Sequence, residues 1–206
     1  MPKISEEKKS ARRTQILDAA WTCFQRGGIQ GTTMDDIIRQ SGLSAGAVYS
    51  YFKNKDDLIV SAVTTSMTGL AEVIAPLLAA EKLLPPAQLL EAITKAISGF
   101  TARDGFDLKR IAILGWGEAQ RNAQVSTALR NSYAVFREHL TQAARTWKQR
   151  GEIDSSADPA DVAKTVLSTA LGFVAQSAIL GEVEPIMLER GLTALRTPAA
   201  AKSSAT

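Results

Sequence analysis

Apolar residues recur every three or four positions through most of this chain, the spacing that lines one face of a helix. No stretch alternates with the period of two that a half-buried strand shows, so the pattern predicts an all-α fold. The stripes and their breakers define about nine helices. Residues 10–26 carry Ile16, Ala20, Cys23 and Phe24 on one face, and Gly27-Gly28 reads as the stop. Two short helices follow within 33–51. A long one starts near Asn54 and carries Leu58, Ile59, Val63, Met67, Leu70, Ile74 and Leu77. Pro76 predicts a kink in it, or its end near Ala75. A fifth helix, opened by Pro85-Pro86, turns Leu89, Leu90, Ile93, Ile97 and Phe100 inward and ends near Thr101. Arg103-Asp104-Gly105 reads as a loop before a sixth helix, from about Phe106 to Gln120. A seventh runs from about Asn122 to Arg150, with an apolar stripe from Val125 to Trp147 and a stop at Gly151. The eighth, from Asp158-Pro159 to about Leu180, has two stripes. One passes through Val162, Val166, Ala170 and Phe173, the other through Leu167, Leu171, Val174 and Ala178. A helix apolar on two sides is buried on two sides. A ninth, Pro185 to about Arg196, carries Leu188, Leu192 and Leu195.

The two short helices carry the sharpest signal. Thr33 is a good N-cap, with Asp36 at the capping-box position. Ile37 and Ile38 give that helix a buried edge, and Ser41-Gly42-Leu43 breaks it. Ser44 then caps a helix over Ala45–Tyr51. Two helices joined by a short turn with a glycine form the DNA-binding helix-turn-helix, whose second helix enters the major groove. That second helix begins Ala45-Gly46-Ala47, small residues that let its N-terminal N–H groups approach a phosphate or base edge. Val48 and Phe52 face inward. Tyr49, Ser50 and Tyr51 offer hydroxyls to phosphate oxygens, and Lys53 and Lys55 follow at once.

From Gly31-Thr-Thr-x-x-Asp-Ile through Ser41-Gly-Leu-Ser-x-Gly-x-Val-Tyr-x-Tyr-Phe-Lys-Asn-Lys-x-x-Leu58, the chain resembles the DNA-binding domain of the TetR (tetracycline-repressor-like) family. The likeness covers residues 12–60; beyond them it extends only to length and helical pattern. The resemblance implies phosphate contacts at Thr33, Ser44, Tyr49, Tyr51 and Lys55, with Ala45, Gly46 and Ser50 nearest the bases. Small residues at 45–47 depart from members with longer side chains there. That departure predicts sparse hydrogen-bond readout, with thymine methyl contact and DNA shape contributing more. The eighth and ninth helices suggest a four-helix interface between two chains, as the resemblance also implies. Its residues would be Val166, Ala170, Val174, Ala178, Leu188, Leu192 and Leu195. The domains expected are a head over 1–55, a ligand-binding and dimerisation body over 56–198, and a disordered tail over 199–206. A head that small has a thin core and calls for support from the next helix.

Charge and cysteine usage narrow the class. The 24 Lys and Arg only slightly exceed the 21 acids. Residues 1–13 hold five basic side chains against two acids, a basic lead-in that suits a phosphate backbone. The lone Cys23 allows no internal disulfide and reads as a small core residue. That suits a reducing cytoplasm. MPKISEEKKS has no apolar core of a signal peptide, and no stretch reaches 18 uninterrupted apolar residues, so no membrane span or membrane partner is expected.

Catalytic chemistry has little to stand on. His139 is the only histidine, among mostly apolar helix neighbours. One Cys and one His make a zinc site a poor fit. No nucleophile elbow, Walker or dinucleotide loop occurs, and no cofactor is expected. Glu91, Glu118, Glu138 and Glu152 read as solvated helix faces. The body holds far more aromatics than the head. With the cavity that the resemblance implies, an apolar effector pocket would draw on Met67, Phe100, Trp116, Phe136 and Phe173. Gln120, Tyr133, His139 and Gln176 are its candidate polar anchors. The expected function is a homodimeric regulator of transcription, a repressor on a palindromic operator of double-stranded DNA. A small hydrophobic or aromatic effector would release it. The alternatives are a constitutive architectural DNA-binding protein and an enzyme with a helical body.

Overall fold

The computed structural model describes residues 6–100 and 108–195. The loop at Arg103-Asp104-Gly105 and the tail at 199–206 lie outside the described residues. Every regular element among the described residues is helical: α1 Glu6–Gly31, α2 Met34–Ser41, α3 Ala45–Tyr51, α4 Lys55–Leu78, α5 Pro86–Gly99, α6 Leu108–Ala119, α7 Ala123–Gln149, α8 Pro159–Ile179 and α9 Pro185–Leu195.

Two boundaries differ from expectation. The glycine pair does not end α1. Gly28 adopts φ 71°, ψ 163°, which kinks the helix, and one more turn follows to Gly31. Only glycine takes that conformation without strain, so the pair acts as a joint. The α1 helix also begins earlier, at Glu6, so Lys8, Lys9, Arg12 and Arg13 sit on a helix. The second difference is at Pro76, which stays inside α4. Pro76 and Glu72 are both exposed, so the carbonyl that loses its partner faces solvent. The ladder resumes at once, with Ala79 N–H donating to Ala75 O at 2.9 Å.

The chain divides into two compact units. The first takes the described residues of 1–73 and 98–136, and the second those of 74–97 and 137–195. In the first, Ile16, Ala20 and Phe24 of α1, Ile37 of α2 and Val48 of α3 share one core with Leu58, Ile59 and Ala62 of α4. Ile111 of α6 and Val125 and Leu129 of α7 complete it. The thin core expected of the head is thus extended by three further helices. In the second unit, Leu89, Leu90 and Ile93 of α5, Leu140 and Ala144 of α7 and Ala163 and Phe173 of α8 are buried. Trp147 is fully buried there, and its indole N–H donates to Leu84 O at 2.8 Å, which satisfies its one polar atom.

Stretches of α4 and α8 are apolar enough by composition to cross a membrane, with mean hydropathies of 1.6 and 1.3. Both put apolar side chains into protein cores instead, through Leu58, Ile59 and Ala62 in α4 and Ala163, Ala170 and Phe173 in α8.

Candidate nucleic-acid interface

Both helices of the helix-turn-helix are capped at their N-termini by side chains and at their C-termini by backbone bonds. Thr33 Oγ1 accepts from Asp36 N–H at 3.2 Å, and Asp36 Oδ2 accepts from Thr33 N–H at 3.0 Å, which completes the capping box. Thr33 also donates its hydroxyl to the same carboxylate at 2.6 Å. These bonds, that from the hydroxyl foremost, hold the Asp36 carboxyl below its ordinary value of 3.8. Gly42 stops α2 in the left-handed conformation, φ 68°. Gln15 donates to Ser41 O at 2.8 Å, tying the turn to α1. Ser44 then caps α3 by accepting from Ala47 N–H at 3.3 Å.

Packing aims α3. Val48 and Phe52 are buried, at 0% and 2% exposure. The Arg13 guanidinium lies 5.3 Å from the centre of the Phe52 ring and donates to Ser61 Oγ at 3.0 Å. This arginine, read from sequence as part of a basic lead-in, is spent on holding α1, α3 and α4 together. The opposite face of α3 presents Ala45, Gly46, Tyr49 and Ser50, all exposed. Ser50 donates to Ala47 O at 2.6 Å, leaving its oxygen free to accept. Tyr51 is half-buried against the core. Thr33 and Ser44 are exposed at the helix N-termini, although both hydroxyl oxygens already serve as caps.

Lys55 departs from its expected place. Its ammonium donates to three carbonyls at the end of α1: Thr32 at 2.8 Å, Ile29 at 2.9 Å and Gln30 at 3.4 Å. An ammonium has three N–H donors, so its capacity is met within the chain. Lys53, two residues earlier, is exposed. Spacing alone could not separate the two lysines. Their difference is one of place: Lys53 lies in the turn between α3 and α4, whereas Lys55 is the first residue of α4.

The expected effector residues divide between the two units. Met67, Phe100, Trp116, Gln120, Tyr133 and Phe136 fall in the first, and His139, Phe173 and Gln176 in the second. The structure brings Trp116 and Tyr133 together, the indole N–H donating to the phenol oxygen at 2.6 Å. Burial pushes the Tyr133 phenol above its usual range, with the Trp116 bond acting the other way. The Phe100 ring lies over Gly69, where an added Cβ would stand 2.8 Å from Cζ. Met67 is half-buried against the first core, and Phe136 is half-buried. Phe173 is core, at 1% exposure. Of the four polar anchors only Tyr133 is half-buried; Gln120, His139 and Gln176 are exposed.

The expected partner face also needs redrawing. Val166, Ala170 and Val174 are buried by their own chain, so they support its core. Ala178, Leu188 and Leu192 are half-buried and Leu195 is 81% exposed. Around α8 and α9, the large exposed apolar residues that sequence reasoning missed are Ile179, Leu180 and Met187. Glu118, read as solvated, is 6% exposed and accepts from Gln30 Nε2 at 2.8 Å. Among the described residues no group of His, Cys, Asp and Glu could hold a metal ion.

Comparison with known proteins agrees with this architecture. Bacterial regulatory proteins of the tetR family match residues 16–62, and the C-terminal domain of BetI-type transcriptional repressors matches residues 86–200. The HTH-type transcriptional repressor Rv1474c of Mycobacterium tuberculosis is 30% identical over 188 residues, 86% of this chain and 88% of that protein. The HTH-type transcriptional regulator YfiR of Bacillus subtilis is 29% identical, over 88% of this chain and 87% of its own length. Among solved structures, the transcriptional regulator FadR of Bacillus subtilis in complex with stearoyl-CoA superposes with a TM-score of 0.71 at 21% identity, over 88% of this chain and 96% of that one.

Proposed function

The chain belongs to the TetR family and is a DNA-binding transcriptional regulator; from that premise we propose that it is a homodimeric repressor of a palindromic operator. A small apolar or aromatic ligand would release it. The observation that carries the DNA contact is the face of α3. Ala45, Gly46, Tyr49 and Ser50 stand exposed on a short helix whose other side is locked by Val48 and Phe52. Lys53 adds a cation at its end for a phosphate. Gly46 supports the reading further, because a Cβ built there meets nothing within 4 Å and its φ is not in the left-handed region. Nothing among the described residues calls for glycine there, whereas close approach of an outside surface does.

Dimerisation is supported by α8 and α9. Only 28% of the most apolar stretch of α8 is buried within one chain, and α9 buries no residue at all. Ile179, Leu180, Met187 and Leu195 then form the apolar surface that a second copy would cover. Two α3 helices about 34–36 Å apart would reach successive major grooves. An apolar ligand is supported by the half-buried aromatics of the first unit and by the stearoyl-CoA held by FadR, a protein of similar fold. Such a regulator acts in the cytoplasm, through binding and not catalysis.

The test begins with a duplex that the protein selects from a randomised pool. Its sequence is expected to contain an inverted repeat. Its complex is expected to sediment with an even number of chains per duplex. A selected duplex with no symmetry, bound by a single chain, would refute the dimeric reading.

A further inference from the structure

The last turn of α1, beyond the Gly28 joint, is held from two sides. From α4, Lys55 caps the carbonyls of Ile29, Gln30 and Thr32. From the last turn of α6, the Glu118 carboxylate accepts from Gln30 Nε2 at 2.8 Å. Thr32 adds a third tie, its hydroxyl donating to Gly28 O at 2.8 Å. The next residue is Thr33, the N-cap of α2. Whatever sets the position of residues 29–32 therefore sets where the helix-turn-helix begins.

Glu118 is a residue that local physics would not choose. A carboxylate in the last turn of a helix faces the negative end of the dipole. Burial to 6% exposure adds a desolvation cost. The backbone of the same residue is also occupied in stopping α6, its carbonyl accepting from Arg121 and Asn122 N–H at 3.0 and 2.9 Å. Among the described residues, the bond from Gln30 is what accounts for its side chain. Around the pair lies an open polar groove of about 500 Å³ that Asn54, Lys55, Asp57 and Arg121 also line.

We propose that Lys55 and Glu118 are positioning residues for DNA binding: together they clamp the terminal turn of α1, so operator affinity depends on an α6 side-chain acceptor and an α4 ammonium that never touch DNA. This rests on the DNA-binding reading above. It also assigns the phosphate contact at the α3–α4 junction to Lys53. A side chain that contacts phosphate contributes alike to all sequences, and its loss flattens the salt dependence. A side chain that only positions α3 leaves the salt dependence intact and acts mainly on the preferred sequence.

The experiment measures affinity by fluorescence anisotropy, across a range of potassium chloride, for a duplex selected by the parent protein and for its scrambled counterpart. Lys55→Met and Glu118→Leu are each expected to weaken the selected duplex about tenfold and the scrambled one about twofold or less, with the parent's salt slope. Glu118→Gln keeps an acceptor for Gln30 and is expected to bind within about twofold of the parent. Lys53→Ala is expected to weaken both duplexes alike and to flatten the slope by about one. Gln30→Ala alters an exposed side chain and deletes the same α1–α6 bond. It carries the test if a core variant does not fold, and is expected to lose at least about threefold on the selected duplex. A slope flattened by about one in Lys55→Met overturns the proposal, as does parent-like binding by Glu118→Leu or, where that variant does not fold, by Gln30→Ala. A parent protein that enriches no duplex at all fails at the selection step, and that failure belongs to the DNA-binding reading.

Discussion

Gly46 and Thr33 show how single residues divide between stability and function. Glycine inside a helix is about 1 kcal/mol worse than alanine. The space beyond Gly46 is open and its backbone conformation is ordinary. Gly46→Ala is therefore expected to raise the melting temperature by a few degrees while weakening operator binding. Thermal denaturation and anisotropy on the same sample check both signs; unchanged binding would remove the close approach to DNA. Thr33→Ala removes an N-cap and is expected to cost about 1 kcal/mol. Asp36 gives that cost a pH signature. Its folded value lies below 3.8, so the bonded carboxylate contributes fully above that pH and the contribution fades as pH falls through the depressed value. The gap in melting temperature between parent and Thr33→Ala is accordingly expected to narrow in acid below about pH 4, as calorimetry across pH would reveal.

At the scale of elements, α8 separates two roles that its apolar composition merges. Val174 is 5% exposed in the single chain, so a charge there disrupts folding and says nothing about assembly. Ile179, on the same helix, is 73% exposed. Ile179→Glu is expected to leave the chain folded, with parent-like circular dichroism, and to turn a sedimenting dimer into a monomer. A dimer as tight as the parent's would move the interface elsewhere. The α1 helix carries the complementary lesson. Its kink at Gly28 lets one helix serve both as a wall of the core, through Ile16, Ala20 and Phe24, and as the lead into α2.

For the whole molecule, the testable consequence is coupling between ligand and DNA. Trp21 and Trp147 are buried, whereas Trp116 is half-buried with its N–H held by Tyr133. A hydrophobic or aromatic effector bound in the first unit is expected to quench Trp116, and the Trp116→Phe variant to lose the signal. By linkage, the factor by which the ligand weakens operator binding equals the factor by which operator weakens ligand binding. Titrations with and without duplex measure that factor. Equal ligand affinity in both would favour constitutive DNA binding.

The helix-turn-helix, its two caps and its Gly42 stop were legible in the sequence because each depends on residues within a few positions of one another. The all-α class and most helix boundaries were legible for the same reason, through the period of the apolar stripes. What lay beyond sequence were choices between equivalent candidates. Lys53 and Lys55 differ only in where the chain turns between α3 and α4. Only the carbonyls of Ile29, Gln30 and Thr32, more than 20 residues away in sequence, claim the second lysine. Glu118 looks like any surface acid until α6 is laid against the end of α1. Val174 and Ile179 are both apolar members of α8, and tertiary packing alone decided which was covered by its own chain and which was left exposed. Periodicity reports that a face is buried; it carries no information about what buries it.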